Sequence, residues 1–304
     1  MKELLNKIAA LCGGEYKKGA VATYIPELAK ANPADFGIAV ASADGKIFDT
    51  GLSHKKFTMQ SIIKPIILLL AIQDAGYDRV RALVGVESTG KPFDSFNYSD
   101  LALKGEHINP MINTGAIALC SLIKGNNDEK FNRLISLVRR LAKSDSIVLD
   151  EQTYRSESET GNKNRALAYL LKAYGLIECD AEEIVDFYFR ACSIKASCRD
   201  LSRIALVFAL HGVDGESGER YFDEKCARYI NAILTICGMY DGSGDFALNV
   251  GIPAKSGVGG GIMAVVPGKL GIGVYSPALD AKGNSTAGLK ALKELSRELD
   301  LSIF

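Results

Sequence analysis

The feature that most constrains this chain is where its strand patterns fall. Phe36-Gly-Ile-Ala-Val-Ala-Ser42 and Ile47-Phe-Asp-Thr-Gly51 read as two strands, and the Asp44-Gly45 pair between them is a hairpin signal. The next β-like run is 253–276, Gly-rich, with AKSGVGGGIMAVV followed by KLGIGVYS and a Pro267-Gly268 turn between strands. Between these regions the apolar spacing is helical, over 60–75 (ending at Gly76), 113–122, 128–141, 164–174, 181–191, 198–210 and 224–236. Residues 1–12 and 285–299 read as terminal helices. Strands at both ends can pair into one antiparallel sheet, with the helical stretch as an inserted lobe. That is α+β logic, not alternating βαβ. It predicts one domain over 1–304, with the sheet part from 1–60 and 240–304 and the helical lobe from 61–239.

Composition excludes several classes of function. Lys+Arg and Asp+Glu are both 36, so the basic excess of a general nucleic-acid binder is missing. The longest apolar run, Pro65-Ile-Ile-Leu-Leu-Leu-Ala-Ile72, is too short to span a membrane and reads as a buried helix. The first residues, Met1-Lys2-Glu3-Leu4-Leu5, show no signal-peptide pattern, which predicts a cytoplasmic protein. Seven cysteines without a Cys-x-x-Cys pair fit small buried hydrophobes in a reducing compartment. The three histidines, His54, His107 and His211, are isolated, which argues against a transition-metal site and leaves a Ser-His-Asp triad with little support. No GxxxxGK[ST] occurs, and Gly259-Gly-Gly261-Ile-Met-Ala264 matches GxGxxA in a β-like context that a dinucleotide fingerprint does not have. No cofactor is expected.

The segment that carries chemistry is Phe57-Thr-Met-Gln-Ser-Ile-Ile-Lys64-Pro65, with Ser-x-x-Lys at the start of the apolar helix. On a helix, positions i and i+3 share a face, so Ser61 Oγ and Lys64 Nζ can meet. A serine needs a base, and a lysine becomes one only when its pKa falls far below its usual value of about 10.4. Burial, a helix N-terminus and a second cation would each lower it. The pattern is weak alone: Ser121-Leu-Ile-Lys124 repeats it, and Ser61 by itself also reads as a helix cap. A second box, Lys255-Ser256-Gly257, lies on the C-terminal β-like run. SxxK on a helix with a Lys-[Ser/Thr]-Gly strand is the layout of β-lactamase-type serine enzymes.

Longer segments sharpen this. Tyr24-Ile-Pro-Glu-Leu-Ala29, Glu87-Ser-Thr-Gly-Lys-Pro-Phe93, Asn109-Pro-Met-Ile-Asn-Thr-Gly-Ala-Ile117, Tyr154-Arg-Ser-Glu157, Asn164-Arg-Ala-Leu-Ala-Tyr169, Gly238-Met-Tyr-Asp-Gly-Ser-Gly244, Gly251–Gly261 and Val274-Tyr-Ser-Pro-Ala278 stand with the Ser61 segment over about 24 to 285. Together they resemble the serine-dependent glutaminases, of the β-lactamase/transpeptidase-like superfamily. Ile63, Thr114, Ser88 and Asp94 depart from the family pattern, where Ser, Ala, Pro and Asn are usual.

The resemblance implies hydrolysis of L-glutamine to L-glutamate and ammonia through a γ-glutamyl ester on Ser61, with Lys64 as general base. It implies an oxyanion hole from the Ser61 and Val258 amides, beside the Gly257–Gly261 run, and Tyr240 as a proton shuttle unless it is a core tyrosine. Lys255 either keeps Lys64 neutral by repulsion or acts as a structural cation. Glu157 would take the α-ammonium, and Asn113, Asn164, Tyr188 and Tyr24 the α-carboxylate. Relatives of this kind suggest a homodimer or homotetramer. The competing expectations are a β-lactamase or peptidoglycan peptidase, which the lack of an export signal disfavours; a glutamine sensor without turnover; and a side activity on asparagine.

Overall fold

A computed structural model describes residues 1–88 and 108–304. Part of the Glu87–Phe93 segment, Asp94 and His107 therefore lie outside the described residues. The chain opens with α1 (Lys2–Cys12), then β1 (Gly37–Ser42), β2 (Ile47–Gly51) and β3 (Phe57–Thr58). Helices α2 (Lys64–Leu83), α3 (Asn113–Cys120) and α4 (Asn127–Ala142) follow. Next come β4 (Val148–Leu149), α5 (Glu151–Thr160), α6 (Asn162–Ala173), α7 (Ala181–Cys192) and β5 (Ile194–Ala196). The chain closes with α8 (Cys198–Ala209), α9 (Glu224–Cys237), α10 (Ser243–Asn249), β6 (Ala254–Ser256), β7 (Gly261–Val266), β8 (Leu270–Tyr275) and α11 (Thr286–Leu299).

The strands of both chain ends do form one sheet, in the order β2-β1-β8-β7-β6, with every pairing antiparallel. Apart from the edge strand β2, it is buried on both faces. Ile38, Val40, Ile262, Ala264, Ile272 and Val274 point to one side, where they meet Leu5 and Ile8 of α1 and Leu292 and Leu295 of α11. The other side carries smaller groups, because α8 lies against it. A Cβ at Gly271 would sit 2.1 Å from the Ser202 carbonyl, and one at Gly273 would sit 2.2 Å from that of Cys198. Two glycines in one strand thus let the helix backbone press directly on the sheet.

Three expectations need correcting. Strands β4 and β5 lie within the stretch read as helical lobe and pair with β3 in a second sheet, β3-β5-β4, so β3 does not belong to the large sheet. The helix after Ser61 does not stop at Gly76: the chain turns there with φ 80 and resumes as a helix to Leu83. Ser61 itself lies in a 3-10 turn, Gln60–Ile63, and Lys64 is the first residue of α2. Pro65 falls in the first turn, where its missing N–H costs no bond. All of 64–72 is buried, as an apolar helix start inside a core requires. Helices α5 and α10 were not legible as periodic segments. Among the described residues, no helix is long and apolar enough to cross a membrane, and all seven cysteines are free, six of them buried.

Candidate active site

The small sheet explains how the Ser61 turn is held. Phe57 pairs with Ala196 and Thr58 with Lys195, and the Met59 N–H donates to the Ile194 carbonyl at 2.8 Å. Strand β5 follows directly on α7, so Tyr188 and Cys192 arrive beside Ser61. The Asp150 N–H donates to the Ser193 carbonyl at 2.9 Å, which ties down α5 and with it Glu157.

A cavity of about 310 Å³ opens over Ser61. Seven residues singled out in the sequence line it: Tyr24, Ser61, Asn113, Glu157, Asn164, Tyr188 and Val258. Tyr24 stands exposed at 56%, as a rim residue does, while Glu157 is buried. Lys64, Tyr240, Lys255 and Gly257 lie behind this lining, and all but Gly257 are groups that can move protons or charge. Neither described histidine, His54 nor His211, lines the cavity. Sequence reasoning missed Gln60, Cys192, Ile25 and 160–163. Gln60 adjoins the SxxK serine, and its place in the motif was the only signal available.

Lys64 is fully buried, and among the described residues its side chain makes no ion pair. It donates to the Met111 carbonyl at 3.0 Å and to Asn113 Oδ1 at 2.7 Å, not to Ser61 Oγ as helical spacing suggested. Burial pushes its pKa down to about 7. Asn113 is a hub: Oδ1 also accepts from the Tyr188 hydroxyl at 3.2 Å, and Nδ2 donates to Asn164 Oδ1 at 3.0 Å. Glu157 is buried as deeply, and that burial pushes its carboxyl up to about 8 against the opposing bond from Gln60 Nε2 at 2.7 Å. Lys64 and Glu157 are thus poised near neutrality from opposite directions, the pattern expected of a functional site.

Behind Ser61, Tyr240 interacts with the serine by a side-chain hydrogen bond and donates to the Ser256 carbonyl at 3.2 Å. Lys255 Nζ lies 4.3 Å from the centre of the Tyr240 ring and donates to the carbonyls of Gly238 (3.0 Å) and Ser256 (2.8 Å). Burial lowers its pKa well below the usual lysine range, and the Lys64 charge lowers it further. Two ammonium groups in this dry space disfavour each other. Gln60 and Tyr240 both have left-handed backbones, φ 50 and 53, a costly conformation for such residues that clusters at working sites. Bonds from Met239 N to Ser243 Oγ (3.0 Å) and from Ser243 Oγ to the Tyr240 carbonyl (2.9 Å) hold the second.

The Gly-rich run brings β6 and its following turn against the Ser61 turn. A Cβ at Gly257 would lie 2.6 Å from the Met59 carbonyl, and one at Gly259 would lie 2.7 Å from that of Thr58. Around Val258, Gly257 N bonds the Gly261 carbonyl and Gly260 N that of Gly257, so the Val258 N–H is bypassed. The Ser61 N–H opens a helical turn, where amides have no intrahelical acceptor.

Comparison with known proteins agrees with this architecture. The family model described as Glutaminase matches residues 19–304. "Glutaminase 2" of Clostridium perfringens is 48% identical over the whole of both chains. A Clostridioides difficile glutaminase is 49% identical over 94% of this chain and 93% of its own. Among solved structures, a probable glutaminase from Bacillus subtilis complexed with 6-diazo-5-oxo-L-norleucine superposes with a TM-score of 0.91 at 36% identity, over 100% of this chain and 97% of that one. The protein called Mglu, in its tris and glutamate form, is longer: this chain covers 66% of it, with a TM-score of 0.91 and 35% identity. The α+β fold is the β-lactamase-like fold of these glutaminases. A full-length sequence match and a shared fold lead to one assignment: the chain belongs to the glutaminase family, enzymes that hydrolyse amides.

Proposed function

We propose that the chain hydrolyses the side-chain amide of L-glutamine through a γ-glutamyl ester on Ser61, with Lys64 as the general base. The observation that carries this is the setting of Lys64. A neutral amine has two N–H donors and one lone pair. The Met111 and Asn113 oxygens take two donors, which leaves the lone pair as the third position of the nitrogen. A pKa near 7 makes that lone pair available at neutral pH.

In the first step Ser61 Oγ attacks the amide carbon while Lys64 takes its proton. The oxygen that becomes negative is received by the Ser61 and Val258 N–H groups, one at the start of the Ser61 turn and one in the Gly-rich turn packed against it. The C–N bond then breaks, and the proton passes to the nitrogen, with Tyr240 beside Ser61 as the relay. Ammonia leaves, and the γ-glutamyl group stays on Ser61. In the second step water attacks the ester, Lys64 takes its proton, the C–Oγ bond breaks and Ser61 is reprotonated. Lys255 supports Tyr240 from its ring face, and its charge, when present, disfavours a second one on Lys64.

Recognition of the amino-acid end follows from charge. The α-ammonium pairs with Glu157, and the α-carboxylate takes donors from Asn113, Asn164 and Tyr24, and from Tyr188 once its hydroxyl proton turns away from Asn113 Oδ1. Amides without these groups leave buried polar atoms unpaired and are poor substrates. The relative solved with 6-diazo-5-oxo-L-norleucine suggests the test. That compound has a diazoketone where glutamine has its amide, and attack with loss of dinitrogen leaves a covalent label. Digestion and mass spectrometry of the treated protein should find the label on Ser61. A label on any other nucleophile contradicts the proposal.

A further inference from the structure

We propose that Gln60 is a positioning residue that makes the nucleophile's turn respond to the substrate's α-ammonium. It links the Glu157 carboxylate, which reads the ammonium, to the backbone that aims Ser61; this rests on the roles given above to Glu157 and Ser61.

The geometry is specific. Gln60 is buried, 3% exposed, and lines the cavity. Its Nε2 donates to Glu157 Oε1 at 2.7 Å, with Thr58 Oγ1 further away at 3.4 Å. Its carbonyl carbon and the Ser61 nitrogen form one peptide unit, so the Gln60 backbone sets where the Ser61 N–H points. That backbone is left-handed, at φ 50. A glutamine there costs about 1–3 kcal/mol and keeps the conformation only because its surroundings enforce it. On its other side, a Cβ placed on Gly259 would lie 3.5 Å from Gln60 Cγ, so Gln60 also packs against the residue after Val258. One residue therefore touches the reader of the ammonium, shares the peptide unit of the Ser61 amide and lies against the residue after Val258.

Charge makes the link responsive. In the free protein at neutral pH, burial holds Glu157 largely protonated. An arriving ammonium ionises it and sends the proton to solvent. The Gln60 bond then becomes charge-assisted, roughly twice as strong as a neutral one. The turn is held more firmly with a correct substrate in place than without. An interaction that firms up the attacking geometry appears in kcat, whereas the ammonium–carboxylate contact itself appears in KM.

The test compares L-glutamine with 4-carbamoylbutanoate, which is glutamine without its α-amino group, using the full chain as wild type, Gln60→Met and Gln60→Asn. For the wild type, the analogue should have a higher KM and also a kcat lower by about tenfold to a hundredfold. In Gln60→Met, kcat for glutamine should fall to the analogue's level, while kcat for the analogue changes little and the KM gap persists. Equal losses of kcat on both substrates, or a change in KM alone, would overturn the coupling. If thermal melting shows that Gln60→Met does not fold, Gln60→Asn, which accepts the left-handed backbone but is too short to reach Glu157, decides: kcat for glutamine should drop to that of the analogue, and an equal loss on both substrates again overturns it. A wild type that releases no ammonia from glutamine would instead remove the reading of the site on which the coupling rests.

Discussion

Glutamine binding should expel a proton. In the free protein burial raises the Glu157 carboxyl to about 8, so at pH 7 about nine-tenths of the molecules carry it protonated. An ammonium in contact favours the ionised form strongly. Binding at pH 7 must then release about 0.9 proton from Glu157, and about 0.5 at pH 8. The same linkage makes affinity fall about tenfold for each pH unit below 8, because ionising a group one unit below its pKa costs about 1.4 kcal/mol. The assay is calorimetry of glutamine binding to Ser61→Ala, which cannot turn over, in two pH 7 buffers of different ionisation enthalpy. Lys64, with a pKa of about 7, can contribute at most about 0.5 proton at this pH. Lys64 can also take up as much when Glu157 ionises near it, so a net release below about 0.4 would refute the reasoning. Adding Glu157→Gln should weaken binding by about 2–5 kcal/mol and flatten its pH dependence.

The remaining predictions concern rate and stability. In the free enzyme Glu157 must be ionised and Lys64 neutral, so kcat/KM should rise with pH with a slope near two below 7 and one between 7 and 8, then level off until the substrate loses its α-ammonium proton. The kcat profile, taken with substrate already holding Glu157 ionised, should show a slope of one and lose it in Glu157-independent fashion only when Lys64 is replaced. Unliganded stability should fall as pH rises from about 4.5 to 8, because the folded state holds the Glu157 proton that the unfolded chain gives up; it should rise from about 7 to 10.5, because the unfolded chain holds the Lys64 proton that the folded state rejects. Chemical unfolding of Glu157→Gln should remove the falling limb, and that of Lys64→Met should shrink the rising limb, to which the buried Lys255 also contributes. Gly257→Ala would put a methyl 2.6 Å from the Met59 carbonyl and displace the Val258 amide, with kcat expected to drop about a hundredfold in steady-state assays.

The large sheet and most helices were legible because their apolar periods are strong and their turns carry Gly, Pro and Asp. What escaped notice has physical reasons. Helix α5, EQTYRSESET, buries only Thr153 and Glu157, because its inner side faces a polar cavity rather than a core. Its job in carrying Glu157 erases the apolar stripe by which a helix is recognised. Strands β3, β4 and β5 have two or three residues, too short for alternation to show, and their pairing joins segments far apart in sequence. Ser61 and Lys64 were legible as a motif, but not the 3-10 turn or the Met111 and Asn113 oxygens that hold the lysine, since those come from another part of the chain. Gln60 escaped because a left-handed φ at a glutamine has no local sequence signature.

The central claim is that Ser61 is the nucleophile, and ammonia release from L-glutamine by the purified wild type beside Ser61→Ala tests it most directly, with L-asparagine as the control substrate. The account predicts turnover by the wild type, a loss of about 10⁴-fold or more in Ser61→Ala, and retained glutamine binding by that variant. Undiminished turnover in Ser61→Ala would contradict it.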